Sequence, residues 1–251
     1  MVTAFWEELP AVVETIDRLA AARVIILCAD GAHFTAEMDK QIFTHMLNTY
    51  AGDPARRAEQ FRLGLLELHR AFNVLEHVRM PVISAVQGAC IGGGIDLICP
   101  TDMRFCTDDA VFTIKETELG ITADIGTLQR LQYLMPWGLA RELAYTSRRM
   151  NAAEAVFCGF INQNYKDHTA LLAAVRDVAR QIAQHSPMAV TGTKTMLNYS
   201  RDHGLMDSLN HVATRQAGML QAEDLREALQ AHAEKRQPVF QGLSPHRSAI
   251  K

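Results

Sequence analysis

The chain has 251 residues, 48% of them apolar and 21% charged. This composition fits a folded globular protein of one large or two small domains and excludes a disordered chain. Its 25 Lys and Arg against 28 Asp and Glu leave a net charge of −3, so no global field draws nucleic acid or an anionic membrane surface, and neither is expected as a partner.

The first residues lack a basic n-region and carry Glu7 and Glu8 where a leader peptide avoids acids, so no targeting signal is expected from this end. Trp6, Leu9, Val13, Ile16 and Leu19 recur at helical spacing, and Val24-Ile25-Ile26-Leu27-Cys28 is a β-branched run suited to a buried strand. Asp30-Gly31 predicts a turn. A second helical pattern runs through Phe61, Leu65, Leu68, Phe72 and Leu75 and ends before Pro81. Residues 80–99 are apolar for about the length of a membrane span, but Pro81, Gly88, Gly92, Gly93, Gly94 and Asp96 interrupt them. They are read instead as a strand over residues 82–86, a glycine-rich turn and a short helix stopped at Pro100. Residues 103–106 and 111–114 are further strand candidates, so strands alternate with helices and the class is α/β.

Beyond Gly126 the pattern turns helical, with Ile161 the one plausible late strand residue. Residues 167–234 predict three or four amphipathic helices, broken at Pro187 and around Gly204. The economical division is a core with the site over residues 1–186 and a helical region over 187–251. The five cysteines, Cys28, Cys90, Cys99, Cys106 and Cys158, are odd in number and lack CxxC or Cys/His spacing. They argue for reduced thiols inside a cell and against disulfides or a metal site.

Two features carry chemistry. The order strand, Gly88-Ala89-Cys90-Ile91-Gly92-Gly93-Gly94, helix presents backbone N–H groups at a helix start, where an anion or developing oxyanion is stabilised. A dinucleotide fingerprint and a P-loop both fail on spacing. Behind the glycines come the carboxylates Asp96, Glu116, Glu118 and Asp124, several of them in apolar surroundings where an unpaired charge is costly. Asp124 also suits a helix cap and Glu118 a solvated surface. Amide donors beside poorly solvated carboxylates suit proton abstraction next to a carbonyl, the amides holding an enolate while a carboxylate of raised pKa moves the proton.

The segments Phe34-Thr35-Ala36-Glu37-Met38-Asp39, residues 81–97 and Lys115-Glu116-Thr117-Glu118-Leu119-Gly120 resemble the enoyl-CoA hydratase/isomerase (crotonase) superfamily. Residues 120–131 and Asn198-Tyr199-Ser200-Arg201-Asp202-His203 are most similar to its Δ3,5-Δ2,4-dienoyl-CoA isomerases. The resemblance covers residues 5–240. It implies a spiral of ββα units followed by helices that form a homotrimer, often paired into a homohexamer, acting on acyl-CoA thioesters in fatty acid β-oxidation. No cofactor is implied beyond the CoA of the substrate, and no metal. Ala36 and Gly93 fall on the two oxyanion amides and Asp39 on the same substrate-binding motif. Asp96 and Glu116 fall on the two hydratase acids, and Asp124 on the extra acid of the dienoyl isomerases. The resemblance implies that Glu116 serves C2 and Asp124 serves C6, with Asp96 in support. Lys235 falls near a CoA-phosphate position. A mitochondrial or peroxisome-like compartment suits the resemblance, although the chain carries no signal for either.

This sequence departs from the superfamily in two places. Glu37 replaces the glycine of Phe-x-Ala-Gly-x-Asp, which is expected to strain the first oxyanion loop or place an acid at the pocket mouth. The usual opening strands and an Arg-Pro-x-x-x-Asn-Ala-like segment are absent, which is expected to leave a sheet edge unpaired. Two other readings remain open: an enoyl-CoA hydratase or Δ3,Δ2-enoyl-CoA isomerase indifferent to Asp124, and a non-catalytic acyl-CoA binder.

Overall fold

A computed structural model describes residues 1–37, 39, 49–50, 52–220 and 223–247. Two compact units emerge. The first contains Met1–Glu14, Ile26–His77 and Val82–Val175, and the second Thr15–Ile25, Val78–Pro81 and Arg176–Lys251. Ser186 and Pro187, where the sequence suggested a division, lie inside the second unit and open one of its helices.

Helix α1 (Thr3–Leu19) leads to strand β1 (Ile25–Leu27) and helix α2 (Pro54–His77). There follow β2 (Val82–Val86), β3 (Ala89–Ile91) and α3 (Gly93–Ile98), then β4 (Met103–Thr107), β5 (Val111–Thr113) and a 3-10 turn at Glu116–Leu119. Helices α4 (Thr127–Leu131) and α5 (Trp137–Thr146), strand β6 (Met150–Asn151), helix α6 (Ala152–Phe157) and strand β7 (Gln163–Tyr165) complete the α/β part. Four helices close the described chain: α7 (His168–Ala183), α8 (Pro187–Asp202), α9 (Leu205–Met219) and α10 (Glu223–Glu234).

The strands sort into two sheets, one in the order β1-β2-β4-β7 and one in the order β3-β5-β6. Consecutive strands of a turn go to different sheets, β2 and β4 to the first and β3 and β5 to the second, and both like pairs are parallel. This is the ββα spiral expected from the resemblance. Strand β2 is buried at every position, as a β-branched run enclosed on both faces should be. Phe72, Leu75, Val82, Ile83, Phe112 and Phe160 are among the buried apolar residues of this unit.

Three readings need correction. The glycine cluster holds a third strand, β3, because only Gly88 and Gly92 turn the chain with positive φ, and Ala89–Ile91 between them pairs with β5. Among the described residues two late strands exist, and neither includes Ile161. That residue is a buried core side chain, whereas β7 is the polar run Gln163–Tyr165, placed by its pairing with β4 and not by hydrophobicity. The Asp124 side chain is not a helix cap: Gly126 occupies that position at α4 with no side-chain cap bond.

Among the described residues no helix is long and apolar enough to cross a membrane. In the second unit, Arg79 bonds Asp17 at 2.7 Å and the Ser244 carbonyl at 3.0 Å, and buried Lys194 donates to the Met80 carbonyl at 3.1 Å. Tyr199 of α8 is stacked between His203 and His211 at centroid distances of 3.7 and 4.0 Å, which pins α8 to α9.

Arg104 is a buried cation of the first unit, 6% exposed. Its Nε and Nη1 donate to the Phe160 and Thr101 carbonyls at 2.8 and 2.7 Å, and its guanidinium lies 5.6 Å from the Phe160 ring centroid. Truncation strands two buried carbonyls and opens a void. Arg104→Ala is expected to cost about 3 kcal/mol, checked by urea unfolding with an unchanged slope. A loss within about 0.5 kcal/mol would mean that water replaces the guanidinium.

Candidate active site

Segment 34–35 runs beside β3, with the Phe34 N–H donating to the Gln87 carbonyl at 2.7 Å and Thr35 forming a parallel bridge to Cys90. The Gly92 N–H donates to the Thr113 carbonyl at 2.9 Å. Three neighbouring chain segments therefore end together, leading to Ala36-Glu37, to Gly92-Gly93 and to Glu116. Gly93 is the first residue of α3, where a helical amide has no intrahelical carbonyl to meet. Its open side faces the Met1 thioether, with Sδ 3.6 Å from where a Cβ would stand. Ala36 is exposed at the end of its bridge, and Asp39 is exposed with its N–H donating to the Met1 carbonyl at 3.0 Å.

Asp96 is the most enclosed acid among the described residues, 1% exposed in the first turn of α3. Its Oδ1 accepts from the Thr127 N–H at 2.8 Å and the Thr127 hydroxyl at 2.6 Å. Burial pushes its pKa up to about 6 against these two bonds, with the Asp124 charge adding to the rise. Glu116 is 8% exposed, and its Oε2 is enclosed with no hydrogen-bond partner among the described residues. Burial first, then the charges of Asp96 and Glu37, raise it to about 7. Asp124 is half-buried and raised by desolvation. Glu118, by contrast, is a surface acid paired with Lys115.

Sequence reasoning missed the residues that hold Asp124. His69 Nε2 lies 2.6 Å from the Asp124 carbonyl, and since a carbonyl only accepts, that nitrogen carries the hydrogen. Arg130 donates to Asn73 at 2.7 Å and to Glu76 at 2.9 Å, two side chains that share a face of α2 with His69. The signal was the polar spacing 69, 73 and 76 within an otherwise apolar-faced helix. Thr127, too, gave no sign of its bond to Asp96.

Glu37 has φ 97°, a left-handed conformation that costs a residue with a Cβ about 1 to 3 kcal/mol. The expected strain at this position is thus present. Its side chain lies over Gly92, whose Cβ, if it had one, would stand 2.9 Å from Glu37 Cγ and 3.0 Å from Cδ. Lys235 belongs to the second unit, where it is exposed, follows α10 and has φ 55°. Among the described residues no three His, Cys, Asp or Glu side chains are grouped closely enough to hold a metal ion.

The enclosed acids couple stability to pH. An acid that binds its proton more tightly when folded leaves stability unaffected below its ordinary pKa and erodes it as pH rises to its folded one. For Glu116 that window runs from 4.5 to about 7. The stability advantage of Glu116→Gln over the parent is expected to grow by about 2 to 3 kcal/mol across it, measured by denaturant unfolding at each pH. A constant difference would place the carboxyl in water.

The sequence profile of the family described as enoyl-CoA hydratase/isomerase matches residues 1–243. The peroxisomal Δ3,5-Δ2,4-dienoyl-CoA isomerase of Arabidopsis thaliana is 39% identical over 241 residues, covering 95% of this chain and 87% of that protein. The mitochondrial enzyme of the same name from Homo sapiens is 39% identical over 235 residues, covering 93% of this chain and 72% of that protein. Among solved structures, an enoyl-CoA hydratase from Bacillus anthracis superposes with a TM-score of 0.85 at 30% identity, covering 96% of this chain and 89% of that one. On the profile match, the 39% identity and the shared two-sheet spiral, the chain belongs to the enoyl-CoA hydratase/isomerase family.

Proposed function

We propose that the chain is an isomerase that converts a 3,5-dienoyl-CoA to the 2,4-dienoyl-CoA during fatty acid β-oxidation. The observation that carries the reading is the third acid. Asp124 stands in electrostatic contact with Asp96 and is raised by desolvation, as Asp96 and Glu116 are. Two proton carriers at opposite ends of a diene need such acids, and the 39% identity to proteins named for this conversion supports the same reading.

The enclosure and raised proton affinity of these acids support the following steps. Glu116, enclosed and lacking a hydrogen bond at Oε2, takes the proton from C2 of the substrate. The released electron pair spreads from C2 to C6 and onto the thioester oxygen, where the Ala36 and Gly93 N–H groups stabilise it. Asp124 returns a proton to C6, so the double bonds at C3–C4 and C5–C6 become double bonds at C2–C3 and C4–C5. Asp96, fixed by Thr127, keeps the proton affinity of Glu116 high. Each turnover moves protons only, and CoA enters as part of the substrate. Asp39 is assigned to the substrate-binding loop and Lys235 to the CoA phosphate. Leu197, Leu205 and Met206 of the helical unit are 67%, 74% and 75% exposed, which supports a homotrimer or homohexamer built through that unit.

The purified protein is to be offered 3,5-dienoyl-CoA and 2-enoyl-CoA separately and each followed by ultraviolet absorbance. Isomerisation of the first is expected, with Asp124→Asn lowering kcat about 10²- to 10⁴-fold. Undiminished isomerisation by Asp124→Asn removes it as a proton carrier. Hydration of 2-enoyl-CoA that ignores Asp124 points to a hydratase, and binding without turnover to a non-catalytic member.

A further inference from the structure

Asp124 stands in residues 121–126, which belong to no helix or strand, yet a proton delivered to C6 needs a fixed origin. The ends of this loop are tied. The Ile121 N–H donates to the Glu116 carbonyl at 3.1 Å, and the Thr127 N–H and hydroxyl donate to Asp96. Between those ties, the bond made at Asp124 itself comes from α2, where His69 Nε2 donates to the Asp124 carbonyl at 2.6 Å. Because the peptide unit is planar, this bond orients the whole plane that follows Asp124, and with the tie at Thr127 it sets the direction in which the Asp124 side chain leaves the backbone.

The same face of α2 holds the chain again beyond Gly126, since Asn73 and Glu76 accept from Arg130 at 2.7 and 2.9 Å. The base is firm: Ala71, Phe72, Val74 and Leu75 of α2 are buried, and the side chains of the Arg130–Glu76 pair are only 14% and 11% exposed. The choice of imidazole also has a chemical reason. A lysine or arginine at 69 would hold a permanent cation beside Asp124, favour its ionised form and deplete the acid that serves C6. Charge on His69 acts on Asp124 in that direction, whereas a neutral imidazole supplies the donor alone.

We propose that His69 is a positioning residue for the return of the proton to C6, holding the Asp124 backbone so that its carboxyl keeps one place and one angle while Glu116 works at C2. The inference rests on the isomerase reading, in which Asp124 serves C6. His69 acts through Asp124 and takes no proton itself.

The test is a double-mutant cycle in the full-length protein with 3,5-dienoyl-CoA. His69→Leu removes the donor and is expected to lower kcat about 10- to 100-fold, with KM changed by less than about twofold. His69→Gln carries a side-chain N–H to a similar reach and is expected to recover most of that loss. In the Asp124→Asn background, His69→Leu is expected to lower kcat by less than about threefold more, because the group it positions is already disabled. Nitrogen-15 NMR of the parent in mildly alkaline solution needs no variant, and is expected to show His69 protonated at Nε2 and bare at Nδ1. Losses that multiply in the double variant, or a hydrogen on Nδ1 in place of Nε2, overturn the proposal. A parent inert toward 3,5-dienoyl-CoA overturns the isomerase reading and this assignment with it, whereas an active parent matched by His69→Leu overturns this assignment alone.

Discussion

Asp96 and Thr127 lie 31 residues apart, and the two hydrogen bonds between them join α3 to the first residue of α4 inside an apolar shell. An enclosed carboxylate loses solvation worth several kcal/mol, which hydrogen bonds to its charged form offset only in part. The shortfall appears as the rise of Asp96 to about 6. Because both bonds come from one residue at a helix start, they also fix where the preceding loop, with Asp124, enters α4. Catalytic electrostatics and local architecture therefore depend on the same contact.

The spiral supplies the rest of the geometry. Sending β2 and β4 to one sheet and β3 and β5 to the other brings the glycine turn after β3 and the 3-10 turn after β5 to the same sheet end. Parallel pairing makes this possible, since both strands finish in the same direction. Desolvation raises each of the acids collected there, and the charge of Asp124 adds to the rise of Asp96 as that of Asp96 adds to the rise of Glu116. A site whose chemistry is proton relocation benefits from this arrangement, because proton affinities well above those of free carboxyls lie closer to neutral working conditions.

Much of this was legible in the sequence because it is written in local pattern. The β-branched run at 82–86, the helical spacing from Phe61 to Leu75 and the isolated Asp96 among apolar residues each constrain their own neighbourhood. What escaped was set by distant partners. Strand β7 is polar and exists because β4 offers it a parallel edge. Strand β3 was hidden by the glycines that bracket it. The polar spacing of His69, Asn73 and Glu76 on α2 names no partner by itself, and only the fold brings them against Asp124 and Arg130. Glu37 was visible as a departure, and its φ gives the physical reason glycine suits that position.

Gly126 has φ 116°, and Arg130 Nη1 stands 2.1 Å from where its Cβ would be. The guanidinium that grips Asn73 and Glu76 thus passes through space that only a missing side chain leaves open. Positions 126 and 130 are consequently coupled in inheritance: a side chain at 126 displaces the guanidinium from Asn73 and Glu76, and with it the anchorage of the loop to α2.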